Sequence, residues 1–232
     1  KAINDIAAIQ RPLNQTMIIQ NSYINDWKNQ YDIIYVSNVI LDNIYRAEKL
    51  AEERKNFYVG QAYFCKSFAY FDLARKWGEC VITKNSTTMN VYGKSSVMEV
   101  LDEAILNAEK AYKVLPLYEN MRDMAGAVWK TKQYGCKGST AALLAHIYAW
   151  KGSMIDLCDF EGDADECYRK STEWATLLIE RKAGDYELED EPELVCARTL
   201  KGLDEISAES IMEFELDELS DYPNIYMIGK QF

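Results

Sequence analysis

A single histidine, His146, stands in 232 residues, so any Ser-His-Asp or Cys-His catalytic arrangement would have to be built on it. It falls inside an apolar helical stretch with no nucleophile fixed beside it, and reads as a structural or exposed helix residue. Basic residues are also scarce, with 26 Lys and Arg against 37 Asp and Glu and a formal net charge of −11. Nucleic acid and anionic membrane surfaces, both of which need Lys and Arg to neutralise phosphates, are therefore disfavoured. No apolar run approaches the ~20 residues that a membrane helix requires. The opening Lys1-Ala-Ile-Asn-Asp has neither the basic start nor the apolar stretch of an export signal. The glycine-rich patterns that cradle phosphates are missing, and no pair of the 37 acidic residues stands out as a glycosidase pair.

No CxxC pair occurs among the six cysteines, Cys65, Cys80, Cys136, Cys158, Cys167 and Cys196, which argues against a zinc ribbon or a thioredoxin-type site. Cys65 lies on an apolar helix and Cys136 just ahead of another, where free cysteine serves as a small hydrophobe. Cys158 and Cys167 flank a short acidic loop and form the one pair to consider for a local disulfide. That loop, Asp156 to Glu166, carries alternating oxygens as a calcium loop does. The register fails, because counting from Asp159 puts Ala164 at the obligatory glycine and Lys170 at the bidentate acid. A solvated connection with Asp163 or Asp165 capping the next helix is the expectation.

What the chain does have is helical patterning. Between Gly60 and Gly78 the large residues Tyr63, Phe64, Phe68 and Phe71 recur at helical spacing. Ala62, Ser67, Ala69 and Ala74 leave room between them for a neighbouring helix. The segment reads as a core helix packed on more than one side with Phe68 at its centre, and Gly78 closes it as a left-handed cap. Upstream, apolar residues on two faces from Tyr31 to Ile44 predict a nearly surrounded helix from about Asp26 to Glu53, whose Asn38 must find hydrogen-bond partners. After a polar loop from Thr83 to Lys94, Ser96 with Glu99 three residues on forms a capping box. Leu101, Ile105, Ala108, Tyr112 and Leu115 make the stripe of the helix that follows, which Pro116 ends. Further helices run from Gly138 to Gly152 and through Tyr168 to Ile179, the latter closed by Gly184. Ser207 to Leu216 alternates apolar and polar residues as a strand does. Helix pairs recurring over about 150 residues suggest tetratricopeptide-like antiparallel repeats.

Four segments together resemble one family. The stretch Gly60-Gln-Ala-Tyr-Phe, its aromatic run, Asp72-Leu-Ala-Arg75 and Trp77-Gly-Glu79 is similar to the central motif of the SusD/RagB family, surface lipoproteins with which Bacteroidetes capture nutrients. Trp27, Tyr31 and Asn38 follow that family's Trp, Tyr and Asn. Gly138-Ser-Thr-Ala-Ala-Leu-Leu-Ala-His-Ile-Tyr resembles its Ala-Ala-x-x-Leu-Leu-Ala-Arg-x-Tyr helix, with His146 where Arg is usual. Ser207 to Leu216 is similar to its Ser-x-Glu-x-Ile-x-x-Glu segment.

The resemblance implies a mainly α fold, an α superhelix of tetratricopeptide-like repeats in residues 27–182, with a loop and a little β structure in residues 183–232. All 232 residues are expected to form a single domain, a fragment or a short member of a family whose chains extend further at both ends. It implies a non-enzymatic protein of the cell surface, lipid-anchored in the outer membrane in its full-length form. Such a protein captures oligosaccharide, or in some relatives peptide, and delivers it to a TonB-dependent, SusC-like outer-membrane transporter. No cofactor or metal is implied. The alternative expectation is a tetratricopeptide-type adaptor that holds a protein segment. No family motif identifies the ligand contacts, so these come from chemistry. Sugar rings present C–H faces that stack on aromatic side chains, and Trp27, Tyr92, Tyr118 and Trp129, at helix starts or between helices, are the candidates.

Overall fold

The computed structural model describes residues 26–87, 92–129, 131–188 and 208–213. The chain divides into two compact units, one of residues 1–29 with 214–232 and one of residues 30–213. Of the first, only residues 26–29 are described, with the Lys28 N–H donating to Asp26 Oδ1 at 2.8 Å where a helix begins.

Five α-helices are found among the described residues: α1 (Lys28–Asn43), α2 (Glu52–Trp77), α3 (Val97–Val114), α4 (Lys137–Cys158) and α5 (Ala164–Ile179). Consecutive helices run antiparallel, as the cross-contacts show. On α2 and α3, an added Cβ at Gly60 would meet Leu115 at 2.5 Å, and Ser67 Oγ donates to the Ala104 carbonyl at 2.7 Å. On α3 and α4, Tyr148 reaches Glu109, and Lys151 reaches Asp102 further back along α3. On α4 and α5, Ser171 Oγ donates to the Ala145 carbonyl while Gly152 lies against Tyr168. The small residues Gly60 and Ser67 are buried on the face that meets α3 and let the two helices approach closely, so the antiparallel, mainly helical architecture expected from the sequence is the one observed.

The caps follow the local sequence. Ser96 and Glu99 form the reciprocal capping box at the start of α3, and Leu115 turns extended ahead of Pro116. Gly78, at φ 74°, ends α2 with its N–H on the Ala74 carbonyl. Asp163 caps α5 by accepting from the Glu166 N–H at 2.9 Å. Gly184 does not close that helix, however. The Arg181 N–H donates to the Leu178 carbonyl and the Lys182 N–H to the Leu177 carbonyl, with Arg181 at φ 56°. This is a Schellman termination that uses arginine where glycine is usual.

The structure corrects several other expectations. The predicted helix from Asp26 to Glu53 is two elements, because α1 stops at Asn43, a 3-10 turn covers Ile44–Arg46, and α2 starts at Glu52. Acidic Glu52 and Glu53 in the first turn of α2 suit the positive end of a helix dipole. Nor is α1 surrounded, since Ile33, Tyr35 and Val36 are exposed. Phe68 is 43% exposed, whereas Phe64, Tyr70 and Phe71 are buried, so Phe68 lies outside the core. Cys158 and Cys167 are free thiols, the first exposed and the second buried. The described part of the expected C-terminal strand, residues 208–213, is irregular. It receives the Glu187 N–H at the Ala208 carbonyl and gives the Glu213 N–H to the Lys132 carbonyl. Backbone bonds to two separate loops make no ladder among the described residues.

The buried polar groups explain two of the sequence signature's residues. Tyr31 Oη of α1 donates to the Val81 carbonyl at 2.9 Å and accepts the Val81 N–H at 2.8 Å. Two residues on, Tyr70 Oη of α2 accepts the Thr83 N–H at 2.9 Å. Asn38 finds its partners in Lys66, whose Nζ donates to Asn38 Oδ1 at 2.9 Å, and in Thr83. Lys66, 4% exposed, also faces Glu103 of α3 at 3.7 Å, and Glu103 pairs with Lys84 at 3.0 Å. Tyr31 and Asn38 thus fasten α1 and the segment after α2 to the α2–α3 pair.

Candidate functional site

At the N-terminal end of α2 a cleft of about 710 Å³ opens against the segment that follows α3. Its walls come from Glu52, Glu53, Arg54 and Phe57 on one side and from Asn120, Arg122, Asp123 and Met124 on the other. The second wall is a tight hairpin. The Trp129 N–H donates to the Met121 carbonyl and the Asp123 N–H to the Ala127 carbonyl, while Asp123 Oδ1 accepts from the Ala125 and Ala127 amides. Arg54 joins the walls: one guanidinium nitrogen donates to the Arg122 carbonyl at 2.9 Å, and the guanidinium carbon lies 5.5 Å from the Phe57 ring centroid and 5.7 Å from that of Tyr58.

An aromatic row continues from the cleft. Tyr58 meets Phe57 edge-on at 5.8 Å between centroids, Phe57 meets Tyr134 at 6.3 Å, and Tyr134 meets Trp129 at 4.6 Å. Such tilted and edge-on pairs lock the rings against one another while leaving partial faces open. Tyr134 and Met124 are exposed, and Trp129 is half-buried. Apolar ring faces beside carboxylates, amides and guanidinium groups form a surface suited to a ligand with C–H faces and many hydroxyls.

The four residues chosen from the sequence fall in different places. Trp129 is in the row. Tyr118 lies on a 3-10 turn (Tyr118–Asn120) and packs on Tyr186 at 5.3 Å between centroids, its hydroxyl donating to the Asp185 carbonyl. Burial, with Glu119 and Asp185 nearby, raises the Tyr118 phenol above its ordinary pKa. Trp27 precedes α1 in the unit of residues 1–29 and 214–232 and is half-buried, as is Tyr92 ahead of α3. Phe57, Tyr58, Arg54 and Tyr134 were not selected from sequence. The one local signal for them was the adjacent aromatic pair Phe57-Tyr58 just before Gly60.

Antiparallel helix pairs bearing a cleft with an aromatic flank define a helical-repeat fold with a candidate ligand surface. The chain belongs to the SusD-like family described as starch-binding and associating with the outer membrane, whose model matches residues 1–148. It is similar to two SusD-like proteins of Formosa agariphila, at 32% identity over 93 residues, covering 38% of this chain and 18% of that one, and at 26% over 158 residues, covering 66% and 28%. Among solved structures, a SusD homologue from Bacteroides thetaiotaomicron superposes with a TM-score of 0.63 at 20% identity, covering 83% of this chain and 34% of that one. A SusD-like protein from Bacteroides fragilis gives 0.61 at 21%, covering 86% and 34%. A structure described as solved with xylogluco-oligosaccharide gives 0.55 at 15%, covering 70% and 30%. The matched stretch thus spans under a third of the curated relatives' length. No helix among the described residues is long and apolar enough to cross a membrane.

Proposed function

We propose that the chain is the helical-repeat part of a cell-surface protein, lipid-anchored when full-length, that captures oligosaccharide and hands it to a TonB-dependent, SusC-like outer-membrane transporter without breaking bonds. The observation that carries the ligand class is the row Tyr58–Phe57–Tyr134–Trp129 beside a cleft whose rim offers Glu53, Asn120 and Asp123 as partners for hydroxyls. The family description as starch-binding and outer-membrane-associated supports it, as does the neighbour solved with xylogluco-oligosaccharide. In this reading Trp129 is the principal contact and Tyr118 supports the neighbouring loop, while Trp27 and Tyr92 stand as separate aromatic candidates away from this row.

A glycan panel tests the reading. Oligosaccharide should change tryptophan fluorescence, and Trp129→Ala should weaken binding without lowering the melting temperature. A second reading, a tetratricopeptide-type adaptor or peptide binder, is favoured by one feature, an apolar groove of about 370 Å³ between α1 and α2 lined by Ile33, Val36, Ile40, Ala62 and Cys65. If the full-length protein ignores the whole panel and an extended peptide binds, the adaptor reading replaces glycan capture.

A further inference from the structure

Lys132 is 1% exposed, in a loop that carries Tyr134 two residues on and Trp129 three residues back. Its ammonium lies 5.0 Å from the ring centroid of Tyr118 and 5.0 Å from that of Tyr186, and it donates to the Ser210 carbonyl. The walls of this cage are themselves fixed, Tyr118 by the Asp185 carbonyl and Tyr186 by Cys136, whose sulfur is 3.4 Å from the Tyr186 hydroxyl. The Lys132 backbone is tied to the same segment, because its carbonyl accepts the Glu213 N–H at 3.0 Å. Residues 208–213 therefore hold both the side chain and the main chain of one buried lysine.

A buried ammonium is costly unless its donors and charge are met. Two π faces contribute at short range, and the Ser210 carbonyl accepts a charge-assisted hydrogen bond, stronger than a neutral one. Taking residues 208–213 away removes that acceptor and the tie at Glu213, and favours a Lys132 that turns outward to water. Such a turn would carry the adjoining backbone with it. Thr131 is buried and its hydroxyl accepts the Gln133 N–H at 3.2 Å, so the turn moves as a unit. On its far side Gly135 is pinned by Gln61, with the Gly135 N–H on Gln61 Oε1 at 2.9 Å. Tyr134 is thus held from both sides, by Gln61 through Gly135 and by residues 208–213 through Lys132.

We propose that Lys132 is a positioning residue for the aromatic row and that residues 208–213 act as the strap that sets it, so that ligand capture at Trp129 and Tyr134 depends on a segment forming no part of the cleft. The proposal rests on the glycan reading for its binding readout, and the test separates the two. In the full chain, Glu213→Pro removes the N–H that ties the strap to Lys132, whereas Glu213→Ala keeps it. Lys132→Met removes the ammonium and retains the apolar stem. Binding is measured with an oligosaccharide that alters tryptophan fluorescence, and the order of the row is followed by the fluorine resonance of Trp129 in protein labelled with fluorotryptophan.

Glu213→Pro and Lys132→Met should each weaken binding about tenfold, corresponding to about 1.4 kcal/mol, and shift or broaden the Trp129 resonance. Glu213→Ala should match the wild type in both. Should Lys132→Met fail to fold, the Glu213 pair decides. If Trp129→Ala abolishes binding while Glu213→Pro and Lys132→Met leave it intact, the strap proposal is overturned and glycan capture stands. If no oligosaccharide binds at Trp129, the glycan reading fails on its own and the resonance decides the strap: movement in Glu213→Pro supports it, and an unmoved signal overturns it.

Discussion

Gln61 grips the backbone of Gly135 at both ends, its Nε2 donating to the Gly135 carbonyl at 2.7 Å and its Oε1 accepting the Gly135 N–H at 2.9 Å. A side-chain amide carries a donor and an acceptor and so can satisfy a peptide's N–H and C=O together, which gives the amide in the Gly60-Gln61-Ala62 opening a physical role. The approach is close because Gly135 has no side chain: a Cβ there would sit 2.8 Å from the Phe64 ring.

Gly135→Ala should therefore destabilise the fold by about 1–3 kcal/mol through overpacking against a buried ring. Gln61→Ala, which strands two backbone groups, should cost a similar amount, about 1–3 kcal/mol. Urea unfolding of both variants checks this: an unchanged midpoint in Gln61→Ala would show that the grip contributes nothing, and one in Gly135→Ala that the Phe64 ring yields to a methyl group.

The aromatic run on α2 divides into core and surface. Phe64→Ala should cost about 3–5 kcal/mol, as for a large aromatic removed from a packed interior. Phe68→Ala should cost less than about 1 kcal/mol, because its ring is already 43% exposed. Thermal melts of the two variants side by side distinguish them, and equal losses would contradict the assignment of Phe68 to the surface.

Alkaline pH should unfold the protein by way of the segment from Cys80 to Thr83. Burial pushes the Tyr70 phenol up to about 12 against hydrogen bonds from Thr83 that lower it, and burial pushes the Cys80 thiol up to about 11. Tyr31 is raised too, by burial first and by the neighbouring Cys80 second. Each of these acids gives up its proton more readily in the unfolded chain. The stability they contribute is thus complete below about pH 9 and is lost as pH rises toward about 12. The melting temperature should be level up to about pH 9 and then fall, less steeply in Tyr70→Phe. A fall that is just as steep in that variant would remove Tyr70 from the account.

Trp129 and Tyr118 should separate under mutation. Trp129→Ala should reduce oligosaccharide binding with the melting temperature unchanged, since the indole rests on Tyr134 at a half-open site. Tyr118→Ala should lower the melting temperature, because it opens one wall around buried Lys132 and removes the bond to the Asp185 carbonyl. Calorimetry with and without ligand measures both effects, and the reverse pattern would exchange the two roles.

Features governed by neighbours a few residues apart were legible in the chain. The Ser96–Glu99 box, the turn before Pro116, the cap at Gly78 and the Asp163 cap each depend on local backbone geometry, and each is found where the residues indicate. The break after Asn43 was not legible, because neither glycine nor proline marks it and the apolar pattern runs on across it. Phe68 was misplaced for a related reason. Its spacing from Phe64 and Phe71 is helical, but spacing defines a stripe without saying how wide the covering neighbours are. The alternation from Ser207 to Leu216 likewise suits a strand, yet a strand needs a ladder partner, and the described residues 208–213 are irregular, with backbone bonds to two separate loops.

The sequence by itself determined the later helices, the caps at Ser96, Gly78 and Asp163 and the family, because helical period, capping chemistry and a signature are all written in residues close together along the chain. Only the tertiary structure decided that Phe57 meets Tyr134, that Tyr134 meets Trp129, and that Lys132 is enclosed by Tyr118, Tyr186 and Ser210. Phe57 is on α2, Trp129, Lys132 and Tyr134 share the loop before α4, and Tyr186 and Ser210 come from segments after α5. No local pattern encodes their meeting, which follows from the close approach that Gly60 and Gly135 permit and from the burial that makes a polar group take whichever partner the packing brings.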